Sequence, residues 1–180
     1  MTKRHYWFFI PVFAALLVLS GCDRGDESAQ THAPVPISDG DECHVCGMTI
    51  NNHPGPKGQA FIRDNATPFK YCSTRDLFSH ILQPEVRSRI TQIYTHDMGS
   101  TGWEAPSNAA FTDARQAWYV INHPMTGAMG PTLASFAEKS AAENFSEQHG
   151  GELVRFDDIT LEMVATITTG NNGEEPVHSH

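Results

Sequence analysis

The segment Cys43-His44-Val45-Cys46-Gly47-Met48 brings two thiols and a thioether together within one short stretch of chain. In an extended segment, side chains two residues apart point to the same face, which would set Cys46 beside Met48. A thiolate next to a thioether is a soft donor pair. Such pairs select Cu(I), whereas Mg²⁺ and Ca²⁺ need oxygen. Zn²⁺ usually takes four Cys or His ligands and seldom Met, so Met48 is the discriminating residue. Cys46 and Met48 are therefore the core of a candidate Cu(I) site. The third donor stays open among Cys43, Cys72 and an acid or histidine folded close by. Gly47 removes side-chain bulk between the two ligands and lets the loop approach a metal. Three other accounts compete: a CxxC disulfide between Cys43 and Cys46, Met48 as an ordinary core filler, and a zinc knuckle completed by His44 and Cys72.

The fourth cysteine, Cys22, has a different setting. Lys3 and Arg4 precede an almost unbroken apolar run from Trp7 to Leu19. That run is shorter than the roughly 20 residues a spanning helix needs, so it reads as a signal-peptide core. It ends in Leu19-Ser20-Gly21-Cys22, which resembles the lipobox of bacterial lipoproteins. The resemblance implies cleavage before Cys22 and its acylation, which would hold the chain firmly to a membrane. Asp23, directly after it, resembles a retention signal for the inner membrane. With Cys22 acylated, Cys43, Cys46 and Cys72 remain, an odd number. At least one thiol is then unpaired within a monomer in an oxidising compartment.

The formal charge of the chain is −9, and loss of Lys3 and Arg4 with the signal peptide makes it more acidic still. Nucleic-acid partners need a basic face and are excluded on this ground. Cations are weakly favoured near such a surface.

The elements that must hold the cysteines are short. Residues 22–40 are rich in Ser, Ala, Pro, Gly and charge without apolar periodicity, the composition of a flexible tether. Glu42 to Ile50, Gln59 to Arg63 and Phe69 to Cys72 have strand character. Ser73, with Asp76 three residues on, is a variant of the capping box. It opens a helix whose apolar stripe is Leu77, Phe78, Ile81 and Leu82. Pro84 ends that helix or lies just past it, and Ile90 to Thr95 alternates as a strand. A second run repeats the order: strand Ala117 to Ile121, strand Thr132 to Ala137, helix Glu138 to His149 closed by Gly150 and Gly151, strand Leu153 to Phe156, and a last helix over Ile159 to Ala165. Trp103 to Phe111 would join the halves. The polar segment from Gly170 to His180 reads as a frayed tail, with His178 and His180 more simply solvated than metal-bound.

The fold class is thus α+β: two similar small ββαβ units in tandem after a lipidated flexible tether. The expected divisions are 1–21 signal peptide, 22–40 tether, 41–104 first unit with the copper site, 105–169 second unit, and 170–180 tail. A single α+β domain with one larger sheet is the alternative. VCGMTINNHPGPKGQAFI and YVINHPMTGAMGPTLASFA both carry His-Pro, then Gly-Pro, then a strand, which suggests a duplication.

In combination, ECHVCGM, NNHPGPKGQAF, KYCSTRDLF and HPMTGAMGPTLASF resemble the NosL family, accessory lipoproteins of nitrous-oxide reductase, from the lipobox to about residue 160. The resemblance implies a Cu(I)-binding metallochaperone at the periplasmic face of the inner membrane, and not an enzyme. It implies partners too: a membrane ABC-type complex with its periplasmic subunit, and through them the tetranuclear copper–sulfide centre of nitrous-oxide reductase. Cys46 and Met48 match the family's CGM motif and would bind Cu(I). The family's third ligand is a downstream carboxylate, and Asp64 is the nearest acid in Phe61-Ile62-Arg63-Asp64-Asn65. Cys43 and Cys72 also match family positions. Met125 and Met129 would form a second soft site, a partner-facing surface, or the packing of a turn. Two other functions stay open. One is a thiol–disulfide oxidoreductase, although GMTI and HPGPKG look like strand and turn rather than the helix start that follows a thioredoxin-like CxxC. The other is a docking lipoprotein with only a structural metal or disulfide.

Overall fold

The computed structural model describes residues 32–170. The signal-peptide segment, the Cys22 anchor and residues 171–180 with His178 and His180 lie outside the described residues. No helix among those described is long and apolar enough to cross a membrane.

The first unit runs β1 (Gly58–Ile62), β2 (Phe69–Tyr71), α1 (Thr74–Ile81), α2 (Pro84–Arg87) and β3 (Ile90–His96). Every residue of β1 is buried, as suits the centre of a sheet covered on both faces. Gly58 is required there, because a Cβ would lie 2.7 Å from Leu77 of the overlying helix. Ser73 caps α1 as its sequence suggests, its hydroxyl accepting from the Asp76 amide at 3.1 Å. Leu77, Phe78 and Ile81 form the buried stripe. Pro84 does more than stop that helix. It takes the first position of α2, where its missing N–H costs nothing.

The join contributes β4 (Phe111–Asp113), which the sequence does not announce. The second unit is β5 (Trp118–Ile121), the small hairpin β6 (Thr126–Gly127) and β7 (Gly130–Pro131), then β8 (Ala134–Phe136), α3 (Lys139–His149) and β9 (Glu152–Arg155), followed by α4 (Leu161–Thr166). One sheet has the order β2-β1-β3-β4 and the other β8-β5-β9. Both are antiparallel, with the first strand of each unit in the centre. The architecture is therefore α+β with two ββαβ units in tandem.

The structural repeat is not the one suggested by the matching His-Pro and Gly-Pro motifs. His53-Pro54 leads into β1, the first strand of its unit, whereas His123-Pro124 and Gly130-Pro131 lead into β8, the second strand of its unit. The true equivalence is carried by register. Gly58 faces Tyr71, and Trp118 faces Phe136, each one residue before the turn into the helix.

A single large core joins the halves. Tyr71, Cys72, Leu77 and Phe78 share it with Tyr119, Leu133, Phe156 and Val164. Phe78 meets Tyr119 edge-on at 5.1 Å and Phe156 at 5.5 Å. Polar bonds cross the same boundary: Thr74 Oγ1 donates to the Leu133 carbonyl at 2.6 Å, and Thr95 Oγ1 lies 2.9 Å from Ser135 Oγ.

From His32 onward, the segment expected as a free tether is fixed to the body. The Gln59 carboxamide bonds both the N–H and the C=O of Val35. Asn108 does the same for Ile37, with distances of 2.8 and 3.1 Å. Two side-chain amides thus replace the ladder a neighbouring strand would supply. Ile37 is buried in the core, and His32 stacks on Phe61. Polar composition was a poor guide here because the partners are side chains far away in sequence.

Candidate metal centre

The cysteine loop is a turn, not the extended strand expected over Glu42 to Ile50. Glu42 and Thr49 form an isolated bridge at its base. Inside it, the Cys43 amide donates to the Met48 carbonyl at 2.9 Å and the Gly47 amide to the Cys43 carbonyl at 2.8 Å. Gly47 has φ +74, the left-handed region that glycine adopts without strain. A Cβ there would meet nothing within 4 Å, so its backbone freedom, and not its lack of bulk, is what the turn needs. The His44 amide donates to the Lys70 carbonyl at 2.9 Å, which pins the loop against β2. His44 also stacks on Phe69 at 3.9 Å.

That docking brings the loop to the β2–α1 junction. Cys72 sits where the strand ends, and Asp76 sits one turn into the helix. The ligand atoms of Cys43, Cys46, Cys72 and Asp76 all lie within 4.8 Å of one another. Asp76 Oδ2 is 3.1 Å from Cys72 Sγ and 3.4 Å from Cys43 Sγ, and the Cys46 and Cys72 sulfurs are 3.5 Å apart. A disulfide needs about 2.05 Å, so these contacts are non-covalent. All three thiols are free. Cys43, Cys72 and Asp76 are buried, and Cys46 alone reaches the surface. Among the described residues, no other three His, Cys, Asp or Glu side chains converge in this way.

The other residues singled out from sequence fall as follows. Met48 is half-buried, and its amide faces the Cys46 thiol. Asp64 is exposed in the β1–β2 turn with φ 66 and does not join the cluster. The carboxylate beside the sulfurs is Asp76, whose sequence context declared only a helix cap. The signal that finds it is Cys72-Ser73 followed by an acid three residues past the cap. That spacing sets the carboxylate over the helix start and near the residue preceding the cap. Met125 is half-buried. Met129 is 49 % exposed, near the tip of the β6–β7 hairpin.

The cluster divides its protons unequally. Hydrogen bonding from the Cys72 thiol, helped by the amides of Cys72, Cys46 and Val45, lowers Cys43 to about 5 against the cost of burial. The bond to Cys43, burial and the Asp76 carboxylate together push Cys72 up. Burial also pushes Cys46 up. Hydrogen bonds among the thiols thus favour loss of a proton from the cluster, while burial and the Asp76 carboxylate oppose the loss of more until a metal enters. Three sulfurs and one carboxylate form a predominantly soft donor set, and its opening lies on the Cys46 side.

Known proteins are similar to this chain over most of its length. Residues 34–164 match the NosL family model. A protein from Stutzerimonas stutzeri described as a copper-binding lipoprotein NosL is 41 % identical over 162 residues, covering 90 % of this chain and 83 % of its own. A protein of the same description from Achromobacter cycloclastes is 33 % identical, covering 93 % and 86 %. The crystal structure of the copper chaperone NosL from Shewanella denitrificans superposes with a TM-score of 0.72 at 44 % identity, covering 73 % of this chain and 98 % of that one. With a family model spanning most of the described residues and relatives at 41 % and 33 % identity over most of their length, this chain belongs to the NosL family.

Proposed function

We propose that this protein is a Cu(I) metallochaperone, anchored through Cys22 at the periplasmic face of the inner membrane. It delivers copper for the copper–sulfide centre of nitrous-oxide reductase, through a membrane ABC-type complex and its periplasmic subunit. The observation that carries the copper reading is the convergence of three thiols with one edge open, Cys46 at that edge and Met48 two residues on. The relatives described as copper-binding and as a copper chaperone support it.

Copper is cargo here, and no substrate bond changes, so the work is ligand exchange and not catalysis. A cargo site must hold its ion against water yet release it quickly. Buried Cys43 and Cys72 supply affinity in a dry setting. Cys46, with Met48 two residues on in the same turn, supplies the exchangeable edge where a partner's ligands enter before the first ones leave. Met129, exposed on its hairpin, is a soft contact for such a partner.

The Asp76 carboxylate favours a second reading. Three thiols and a carboxylate also number the four donors that a structural Zn²⁺ site takes. Anaerobic titration with Cu(I), competed by Zn²⁺, separates the two. The copper reading expects a tight Cu(I) equivalent that is weakened by Cys46→Ala and by Met48→Ala. If both substitutions leave that affinity untouched while Zn²⁺ binds tightly, the cluster is a zinc site and the copper assignment fails.

A further inference from the structure

Lys57 is only 2 % exposed, among the most deeply buried large side chains of the molecule. Buried lysines are rare unless their charge is compensated. Two ion pairs form among the described residues, Lys70–Asp41 and Lys139–Glu143, and Lys57 is in neither. Its Nζ donates to the carbonyls of His53 at 2.6 Å and Pro54 at 2.9 Å, which are neutral acceptors. Compensation must come from elsewhere.

Strand register points to the source. Gly58 pairs with Tyr71 on one side and with Thr95 on the other. One step further along the same ladders sets Lys57 opposite Cys72 and beside His96. The His96 amide indeed donates to the Lys57 carbonyl at 3.1 Å, and the Lys57 amide to His96 Nδ1 at 3.2 Å. Directly opposed residues of an antiparallel pair share a face, so Lys57 and Cys72 belong to the same side of the sheet. The equivalent position in the second unit, one residue before Trp118, is Ala117, and the residue that would face it is Ala137. A lysine is thus present where the opposing residue is a thiol, and an alanine where it is not. Burial lowers the Lys57 ammonium to about 8, and the nearby Cys72 and Cys43 sulfurs act in the opposite sense.

We propose that Lys57 is the built-in counter-cation of the Cys43–Cys46–Cys72–Asp76 cluster, a positioning residue that offsets the negative charge gained when a metal displaces thiol protons. This rests on the copper reading above. When one Cu⁺ enters and two thiol protons leave, the site becomes more negative by one charge. In a poorly solvated setting, a fixed ammonium nearby favours that change. Removing the charge would weaken Cu(I) binding without removing any ligand.

The test compares Lys57→Gln, which keeps hydrogen-bond donors for the two carbonyls, with Lys57→Arg, which keeps the charge. Lys57→Met replaces the first if it does not fold. Cu(I) affinity is measured at neutral pH by competition with a chromophoric chelator, and thiolate content of the metal-free protein by ultraviolet absorbance. The neutral variants are expected to bind Cu(I) about ten- to thirtyfold more weakly and to show less thiolate, while Lys57→Arg stays close to the wild type. Unchanged affinity in a folded neutral variant overturns the proposal. Equal losses in Lys57→Arg and Lys57→Gln also overturn it, since they would show a purely structural role. A wild-type protein that takes up no Cu(I) would instead sink the copper reading, and the thiolate measurement would still report on the charge.

Discussion

The two ββαβ units share strand order and register yet differ completely in chemistry. In the first, the positions before the central strand, before the helix cap and one turn into the helix carry Lys57, Cys72 and Asp76. In the second, the matching positions carry Ala117, Ala137 and Ala141. One residue past the end of the ladder on the third strand stands His96 in one and Phe156 in the other. The strand–turn–helix junction is therefore a scaffold used twice, and the candidate metal centre is a set of polar residues on one copy. The first copy also has something the second lacks, the Cys43–Met48 turn pinned to β2 through Lys70. The comparison teaches that the junction positions two donors and that the added turn supplies the others.

Phe78→Ala gives the largest expected effect, because Phe78 packs on Tyr119 and Phe156 across the boundary. It should cost about 3–5 kcal/mol. Thermal unfolding should stay a single transition. Two separated transitions would show that the units are independent and that the shared core means little.

Each unit also buries one neutral histidine. Burial lowers His96 to about 3, with Lys57 adding to the effect, and lowers His123 to about 4, helped by His149. Both fall below the ordinary 6.5. The unfolded chain therefore takes up protons that the folded chain refuses as pH drops below that value. Stability is full above it and is lost progressively down to about pH 3, where His96 also takes its proton, by several kcal/mol for the pair. His123→Phe, set among Trp103 and Phe145, should flatten the curve, as followed by urea unfolding across that pH range.

A smaller effect is expected from Asp76→Asn, which removes a carboxylate donor but also the charge that holds the Cys72 thiol up, so Cu(I) affinity in the same chelator competition should change by less than about tenfold. Introducing Cys and Asp at Ala137 and Ala141 should leave the stoichiometry at one copper, since the second junction has no cysteine turn; a second tight equivalent would refute that role for the turn. Asp64→Asn should change nothing in either measurement, because the residue lies exposed in the β1–β2 turn.

Much of this was legible in the chain. Central strands and capped helices announce themselves through β1, α1 and α3, where apolar spacing and Ser73 or Gly150 agree. The soft character of the site was written in Cys46 and Met48. What escaped was everything set by tertiary contact. Asp64 lies nearer the CGM motif in sequence, but Asp76 reaches the sulfurs because a helix starts where β2 ends. The strap over Val35 and Ile37 reads as a tether because its partners, Gln59 and Asn108, lie 24 and 71 residues away. The repeated His-Pro and Gly-Pro pairs mark turns in both halves, and turns recur without homologous placement.

The central claim is that Cu(I) sits in a sulfur-rich site built from the cysteine turn and the first junction. X-ray absorption on the anaerobically copper-loaded protein tests it most directly. The account expects a first shell dominated by sulfur that loses sulfur in both Cys46→Ala and Cys72→Ala. A shell dominated by nitrogen and oxygen, or one unchanged by either substitution, would contradict it.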